Sequence, residues 1–122
     1  MQYYTDTGTT FHYTQASNGA WTTKQLFAPV RNLNSQYCGR SVTVIDTKTM
    51  AVGCDRYRNY GAVQIFTRTS TTSTTWTQTQ LITRPKLTPI YEYFGSNVAA
   101  SSDGKRLAVG TYAADDKVCD KA

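Results

Sequence analysis

The feature that most constrains the fold of this chain is an internal repeat with a period of about 56 residues. Residues 21–53 and 76–110 carry the same short motifs in the same order and at nearly the same spacing. The corresponding positions are Trp21, Gln25, Leu26, Gly39 and Gly53 in the first copy and Trp76, Gln80, Leu81, Gly95 and Gly110 in the second. A fixed period of this size is typical of stacked or circular arrays, in which one unit cannot bury its apolar face alone.

The residue usage and the apolar pattern both favour strands. The 122 residues include 21 Thr and nine Tyr, which are residues enriched in β-structure. Val63 and Ile65 alternate with other residues within 61–66, and no window shows a sustained helical period. Apolar and charged fractions of 39% and 17% are those of a globular domain. The sequence therefore predicts an all-β chain.

Each copy contributes to a unit of four antiparallel strands. Two inner strands, 94–100 and 106–110, flank an Asp-Gly turn at 101–104, and the first copy has a similar pair around 45–47. Segment 61–66 is the predicted third strand and segment 76–82 is the polar outer strand. The Thr-rich stretch between the third and outer strands is predicted to be a long polar hairpin loop.

Units of this kind describe the blades of a β-propeller. We expect a single propeller segment over 1–122, with blade-like repeats at about 9–60 and 61–117. Two blades cannot close a ring, and open sheet edges expose unpaired backbone groups. The chain is therefore either a segment of a larger propeller, a subunit whose copies complete one, or two blades held against a partner protein.

The predicted core consists of the apolar residues of the inner and third strands. The continuous apolar run 107–109 predicts that its strand is buried on both faces. The predicted core residues are Val42, Val44, Met50, Val52, Val63, Ile65, Val98, Leu107 and Val109.

Catalytic, metal and cofactor sites find little support in the sequence. The single histidine, His12, lies in a strand-like segment, and no nucleophile elbow, phosphate-binding glycine loop or zinc spacing is present. The carboxylate pair Asp115–Asp116 is more typical of a solvated loop than of an active site. We therefore predict a non-enzymatic protein with no catalytic residue, no metal site and no cofactor.

The charge pattern argues against nucleic acid and membrane partners. The net charge is +5, but the 13 basic residues are scattered, with no run longer than Lys105–Arg106. No apolar stretch approaches the roughly 20 residues of a membrane span. We expect no nucleic acid partner and no membrane span.

The cysteines predict one disulfide bond. If Gly39 lies opposite Gly53 in the inner hairpin, Cys38 and Cys54 face each other within disulfide reach. Two buried free thiols are an alternative at these positions. Cys119 is left without a predicted partner.

Candidate ligand-binding residues gather in the loops that a propeller would place on one face. Tyr and Arg dominate interface hot spots because they offer a large contact area at modest entropic cost. An alternative for each Tyr is packing between blades. The candidates are Arg56, Tyr57, Arg58, Tyr60, Tyr91, Tyr93 and Tyr112.

The motifs also resemble a known repeat family. Segment 94–99, Phe-Gly-x-x-Val-Ala, precedes Leu-Ala-Val-Gly at 107–110, and the run 61–66 precedes a Trp-x-x-x-Gln-Leu strand. Together these resemble the FG-GAP repeat, which builds the propeller of integrin α subunits. The resemblance covers about 9–117, although Cys38 replaces the Phe of the first Phe-Gly.

The resemblance implies a function and a location. It implies a protein-protein interaction, adhesion or scaffolding module that is extracellular or at a cell surface, with a protein or further copies of the chain as partner. A lectin-like propeller that binds glycans is the alternative. The family's calcium loop does not carry over, because the turns near Asp46 and Asp103 hold one carboxylate each.

Overall fold

The computed structural model describes residues 8–27, 37–84 and 92–111 of the chain. These residues form eight strands and one short 3₁₀ turn at Tyr57–Asn59, with no α-helix among them. The all-β, antiparallel prediction is therefore confirmed. The strands are β1 (Thr10–Gln15), β2 (Trp21–Phe27), β3 (Cys38–Asp46), β4 (Thr49–Cys54), β5 (Ala62–Thr67), β6 (Thr77–Ile82), β7 (Asn97–Ala100) and β8 (Leu107–Gly110).

The central element is a four-stranded antiparallel sheet in the order β3-β4-β5-β6. It contains the two inner strands, the third strand and the outer strand that the repeat predicted. The hairpin β1–β2 corresponds to the third and outer strands of a preceding unit, and β7–β8 corresponds to the inner pair of a following one. One complete sheet thus spans the boundary between the predicted repeats 9–60 and 61–117, and the described residues do not close a ring.

Two apolar clusters cover the two faces of the central sheet. The face toward β1–β2 carries Met50, Val52, Phe66 and Trp76. The face toward β7–β8 carries a second cluster, consisting of Ala51, Val63 and Ile65 together with Val98 of β7. Neighbouring residues of β4 and β5 belong to opposite clusters, so both strands are buried on both faces and the core lies between sheets.

The predicted burial of Leu107–Val109 on both faces is wrong, since Ala108 is exposed and Leu107 and Val109 are half-buried. The physical reason is the position of β8 relative to the other strands and sheets. Strand β4 has a neighbouring strand on each side and a sheet on each face, whereas β8 pairs only with β7 among the described strands. An apolar run marks an inner strand, but its exposure depends on the sheets around it.

The predicted burial of Val42 and Val44 is also wrong, because their side chains are 42% and 63% exposed. Val98, which occupies the position of Val42 in the second copy, is only 8% exposed. Strand β7 packs against β3, whereas β3 faces the β1–β2 hairpin, which has no inner pair of strands within the described ranges. The other predicted core residues of the central sheet, Met50, Val52, Val63 and Ile65, are buried.

Candidate functional site

Tyr37 and Tyr93, which precede β3 and β7, occupy equivalent positions of the repeat and share a backbone conformation. Tyr37 and Tyr93 have φ values of 51° and 57°, a left-handed conformation that is uncommon for a residue with a bulky side chain. Each is followed by a residue that bridges to a glycine of the preceding sheet, Gly8 for Cys38 and Gly61 for Phe94. The junction between sheets is therefore a repeated structure, and it presents one tyrosine at each repeat.

Arg56 lies between these two tyrosines. It follows β4 at the same end of the sheet, and its guanidinium carbon is 4.4 Å from the Tyr37 ring centroid and 5.6 Å from the Tyr93 ring centroid. Both distances are within the range of a cation–π interaction. One exposed cation thus contacts the loops that begin two successive sheets.

The 3₁₀ turn adds a second cation to the same end. Arg58, with a φ of 47°, is exposed, and its guanidinium carbon is 5.6 Å from the Tyr57 ring centroid. Tyr57 is half-buried and packs against the cluster on the β1–β2 face of the sheet. The carbonyl of Tyr60 accepts a 3.0 Å hydrogen bond from the Phe94 amide. Tyr57 and Tyr60 therefore anchor the turn that carries the two arginines.

These residues form a surface that we call the basic–aromatic rim. Five of the seven residues predicted from the sequence lie in it, and Tyr91 and Tyr112 fall outside the described residues. Tyr37 was not predicted. The repeat could have identified it, because Tyr37-Cys-Gly in the first copy corresponds to Tyr93-Phe-Gly in the second. The rim consists of Tyr37, Arg56, Tyr57, Arg58, Tyr60 and Tyr93.

A buried carboxylate lies beside the rim. Asp55 is 4% exposed, and its Oδ2 atom is 3.8 Å from Nε of the exposed Arg40. Burial raises the pKa of the Asp55 carboxyl above its ordinary value of 3.8, while the positive charges of Arg40 and Arg56 act in the opposite direction. Because this carboxylate is buried and Arg40, Arg56 and Arg58 are exposed, the accessible charge here is positive.

We expect replacement of Asp55 with Asn to change the pH dependence of stability. A raised native pKa means that the folded state holds a proton which the unfolded state has released, so stability falls as pH rises from 3.8 through the native pKa. The Asp55→Asn protein should lack this fall. Urea unfolding from about pH 3 to about pH 7 measures the difference, and carboxyls common to both proteins cancel. A difference that is independent of pH would contradict the prediction.

A second buried carboxylate, that of Glu92, lies directly before Tyr93 in the chain. The side chain of Glu92 is 1% exposed and forms an ion pair with Arg84. The Thr111 hydroxyl donates a hydrogen bond to the Glu92 carbonyl. Glu92, next to Tyr93, is therefore joined both to Arg84 after β6 and to Thr111 at the end of β8.

The predicted partners Cys38 and Cys54 are joined by a disulfide bond in the structure. They lie opposite each other in the β3–β4 pairing, but the predicted register beyond them is wrong, since Gly53 faces Ser41 instead of Gly39. Gly39 and Arg40 form an irregularity in β3, and the Ser41 hydroxyl donates a 2.8 Å hydrogen bond to the Gly95 carbonyl. The disulfide bond begins at Cys38, which corresponds to Phe94 in the second copy. Cys119 lies outside the described residues.

Loss of this disulfide should lower stability by about 3 kcal/mol, the value for a closed loop of roughly 15 residues in the loop-entropy model. We expect this loss for the double variant Cys38→Ala, Cys54→Ala in urea unfolding, and non-reducing peptide mapping should recover the linked peptides. Cys119→Ser is the matched control and should retain the bond. Free thiols at both positions in the wild-type protein would contradict the prediction.

The single histidine takes part in packing. The His12 ring lies edge-on to the Trp76 ring, with centroids 5.3 Å apart, at the contact between β1 and the central sheet. Burial, followed by the charge of Arg68, lowers the pKa of His12 below its ordinary value. In the parts of the chain that the structure describes, no three His, Cys, Asp or Glu side chains group together.

A cavity of about 400 Å³ lies beside Tyr37. It is lined by the junction residues Gly8, Thr9, Cys38 and Gly39 and by Arg40. It offers an aromatic ring, a cation and backbone groups to a small ligand.

Within the described ranges, no helix is long and apolar enough to cross a membrane.

Comparison with protein-family models and with curated protein sequences identifies no relative. No model of a protein family matches the chain, and no curated protein sequence matches it. The resemblance to the FG-GAP repeat therefore depends on the sequence motifs alone.

Proposed function

We propose that this chain is a non-enzymatic β-propeller segment of the FG-GAP type, whose basic–aromatic rim binds acidic segments of a protein partner. The observation that carries the proposal is Arg56, held between Tyr37 and Tyr93 at the junction of two successive sheets. Protein interaction, adhesion or scaffolding in an extracellular or cell-surface assembly is the corresponding role.

The geometry of Arg56 suits a carboxylate ligand. Stacking on aromatic rings uses the flat face of the guanidinium and leaves its N–H edges for hydrogen bonds. Those N–H groups match a carboxylate in a bidentate arrangement, which is stronger than a neutral hydrogen bond. The rings also restrict the Arg56 side chain before binding, so less entropy is lost when the complex forms. The exposed Arg40 and Arg58 add to the positive field around it.

The disulfide supports the extracellular part of the proposal. Stable disulfides are typical of oxidising compartments and rare in the cytosol. The Cys38–Cys54 bond joins the two inner strands at the end that carries the rim. It therefore fixes the strand ends from which Tyr37 and Arg56 extend.

An array of peptides rich in Asp or Glu tests the proposal. The wild-type protein should bind acidic peptides, and binding should weaken with added salt because charges are paired. Arg56→Ala should weaken binding at least about tenfold, as expected for loss of a charged hot-spot residue. Arg56→Lys keeps the charge but loses the planar stacking, so it should restore only part of the affinity.

Lys48→Ala is the control for net charge. Lys48 is exposed in the turn between β3 and β4 and is not part of the rim. Its loss should leave binding to acidic peptides nearly unchanged. Equal losses in the Lys48 and Arg56 variants would mean that overall charge, and not the rim, attracts the peptides.

A carbohydrate-binding propeller is the second candidate function. The cavity beside Tyr37 and the repetition of this tyrosine at Tyr93 favour it, since aromatic rings between sheets can stack on sugar rings. A glycan array separates the two proposals. Selective sugar binding that Tyr37→Ala, Tyr57→Ala or Tyr112→Ala abolishes, without binding to acidic peptides, would favour the lectin.

A further inference from the structure

The large exposed hydrophobic side chains of the described residues all face the same direction along the stack of sheets. Phe11 and Tyr13 alternate along β1 with Thr10 and His12, which face the central sheet. Trp21 pairs with Gln15 and so shares the outer face of β1–β2. Val42 and Val44 pair with Val52 and Met50 on the β1–β2 side of the central sheet. The complete set is Phe11, Tyr13, Trp21, Val42 and Val44.

The repeat shows what buries these positions in a complete unit. Tyr13 and Trp21 correspond to Phe66 and Trp76, and Val42 corresponds to Val98. Trp76 is 7% exposed because β1 covers it, whereas Trp21 is 65% exposed. The exposed surface therefore has the composition of a core face whose covering sheet is not among the described residues.

The opposite end of the stack has the complementary features. Among the described strands, β8 pairs only with β7, and none of them lies at its outer edge as β5 does for β4. A cavity of about 260 Å³ is lined by Ala99, Ala108 and neighbouring residues of β7–β8. A second cavity, of about 280 Å³, lies between the central sheet and the β7–β8 turn, and Ile65, Ile82 and Leu107 are among its lining residues.

The second cavity corresponds to the site that Trp76 occupies in the complete unit. Trp76 contacts His12 of the neighbouring sheet and shares a cluster with Met50. The repeat equivalents of His12 and Met50 are Ile65 and Leu107, and both line the cavity. A tryptophan at the position equivalent to Trp76 in a third unit would therefore meet this cavity, and Trp21 is such a residue.

We propose that copies of this chain associate head to tail, with β1–β2 of one copy completing the β7–β8 sheet of the next. Strand β1 supplies the third strand and β2 the outer strand that are not found beside β7–β8 in the described residues, and Trp21 enters the cavity at Ile65 and Leu107. The β4–β5 register, in which Val52 faces Gln64, places Val109 opposite Phe11 of the second copy. This inference extends the proposed propeller architecture and is independent of any ligand at the rim.

In a pair of copies joined by this contact, each copy still has one of its two binding surfaces unused. A head-to-tail contact joins two different surfaces, so it repeats until a ring closes or a filament grows. Completion of the β7–β8 sheet pairs the open edge of β8, and such edges otherwise promote aggregation. It also covers the exposed aromatic side chains of β1–β2 and brings Val42 over Ala99 and Ala108.

Light scattering on the purified chain is the first test. The wild-type protein should form either a ring of one mass, a multiple of 13.6 kDa, or filaments whose mean mass rises with protein concentration. The double variant Tyr13→Ser, Trp21→Ser should shift to the monomer mass while keeping the Cys38–Cys54 bond, because both side chains are exposed in the single copy. Arg58→Ala, a rim variant, should assemble as the wild type does. A wild-type protein that is monomeric at every concentration would overturn the proposal.

Crosslinking between two single variants tests the register. A mixture of Phe11→Cys and Val109→Cys proteins should form a disulfide-linked heterodimer under mild oxidation, because the two positions face each other across copies. A mixture of Phe11→Cys and Ala108→Cys is the control, since a shift of one residue turns the side chain to the other face of the sheet. Both mixtures are prepared with Cys119→Ser.

The outcomes separate this inference from the proposed function. Equal crosslinking of the two mixtures, or none in either, would overturn the proposed pairing even if the protein is oligomeric. Binding of acidic peptides by the Tyr13→Ser, Trp21→Ser monomer measures the rim by itself. Loss of peptide binding in Arg56→Ala with assembly unchanged would affect only the rim.

Discussion

Replacement of Gly61 with Ala is expected to lower the free energy of unfolding by about 3 kcal/mol or more. Gly61 has a φ of +91°, and a Cβ atom there would overlap the carbonyl oxygen and amide of Phe94. The cost combines the left-handed conformation, about 1–2 kcal/mol for an L-residue, with displacement of the backbone of the adjoining sheet. Urea unfolding at matched protein concentrations measures it.

Gly19→Ala is the matched control for Gly61→Ala. Gly19 has a similar φ of +88°, but the nearest atom to an added Cβ is Nε2 of the flexible Gln15 side chain, at 3.8 Å. Its cost should be limited to the backbone term of about 1–2 kcal/mol. If the two variants lose the same stability, the close approach between Gly61 and Phe94 does not hold the sheets together.

Replacement of Trp76 with Ala is expected to cost about 3–5 kcal/mol, the range for truncation of a large buried aromatic side chain. Trp76 packs against His12 of the β1–β2 hairpin. The Arg68 guanidinium lies over the Trp76 ring, with its carbon 4.8 Å from the ring centroid. Arg68 also donates hydrogen bonds to the Thr47 carbonyl. The variant should therefore lose stability at every protein concentration.

Trp21→Ala removes the equivalent tryptophan of the first copy. Because Trp21 is exposed in a single copy, its loss should have little effect on the unfolding of dilute, monomeric protein. Under assembly conditions it should lower the midpoint of unfolding, by an amount that grows with protein concentration. Losses that are equal for Trp21→Ala and Trp76→Ala in dilute solution would contradict the different environments of these residues.

The strand arrangement of the central sheet could be predicted because the repeat and the apolar alternation are local properties of the chain. The third strand was predicted from the alternation of Val63 and Ile65, and the Asp-Gly pair at 103–104 predicted the β7–β8 turn. Met50, Val52 and Val98 were predicted to be in the core because they lie on the inner strands of the two copies, and all three are buried. These features depend on side-chain periodicity and turn chemistry, which a single sequence contains.

The exposure of Val42, Val44 and Ala108 could not be predicted in this way. These apolar residues lie on inner strands, as the sequence indicates. Whether a face of an inner strand is covered depends on the arrangement of the neighbouring sheets. The register error near Gly39 has a local cause, since the irregularity in β3 inserts residues that a uniform ladder would not contain.

The candidate site was predicted only in part. Five of the rim residues were identified from composition and loop position, but the placement of Arg56 between two rings arises from contacts among three loops. Such contacts are tertiary and leave no periodic pattern. Tyr37 shows that alignment of the two copies position by position provides the missing information.

The sequential order of the strands has a consequence for how the protein folds. Each pairing in the described residues joins strands that follow one another along the chain, and two residues connect β3 to β4. Closing such short loops costs little entropy, and topologies rich in local contacts fold faster than sandwiches with distant pairings. During synthesis, β3 can pair with β4 as soon as both have emerged from the ribosome, and β5 and β6 can then add in turn. Each strand of the central sheet can therefore pair with the preceding strand as soon as it is synthesised. This sequential pairing limits the aggregation to which slowly assembling β-proteins are prone.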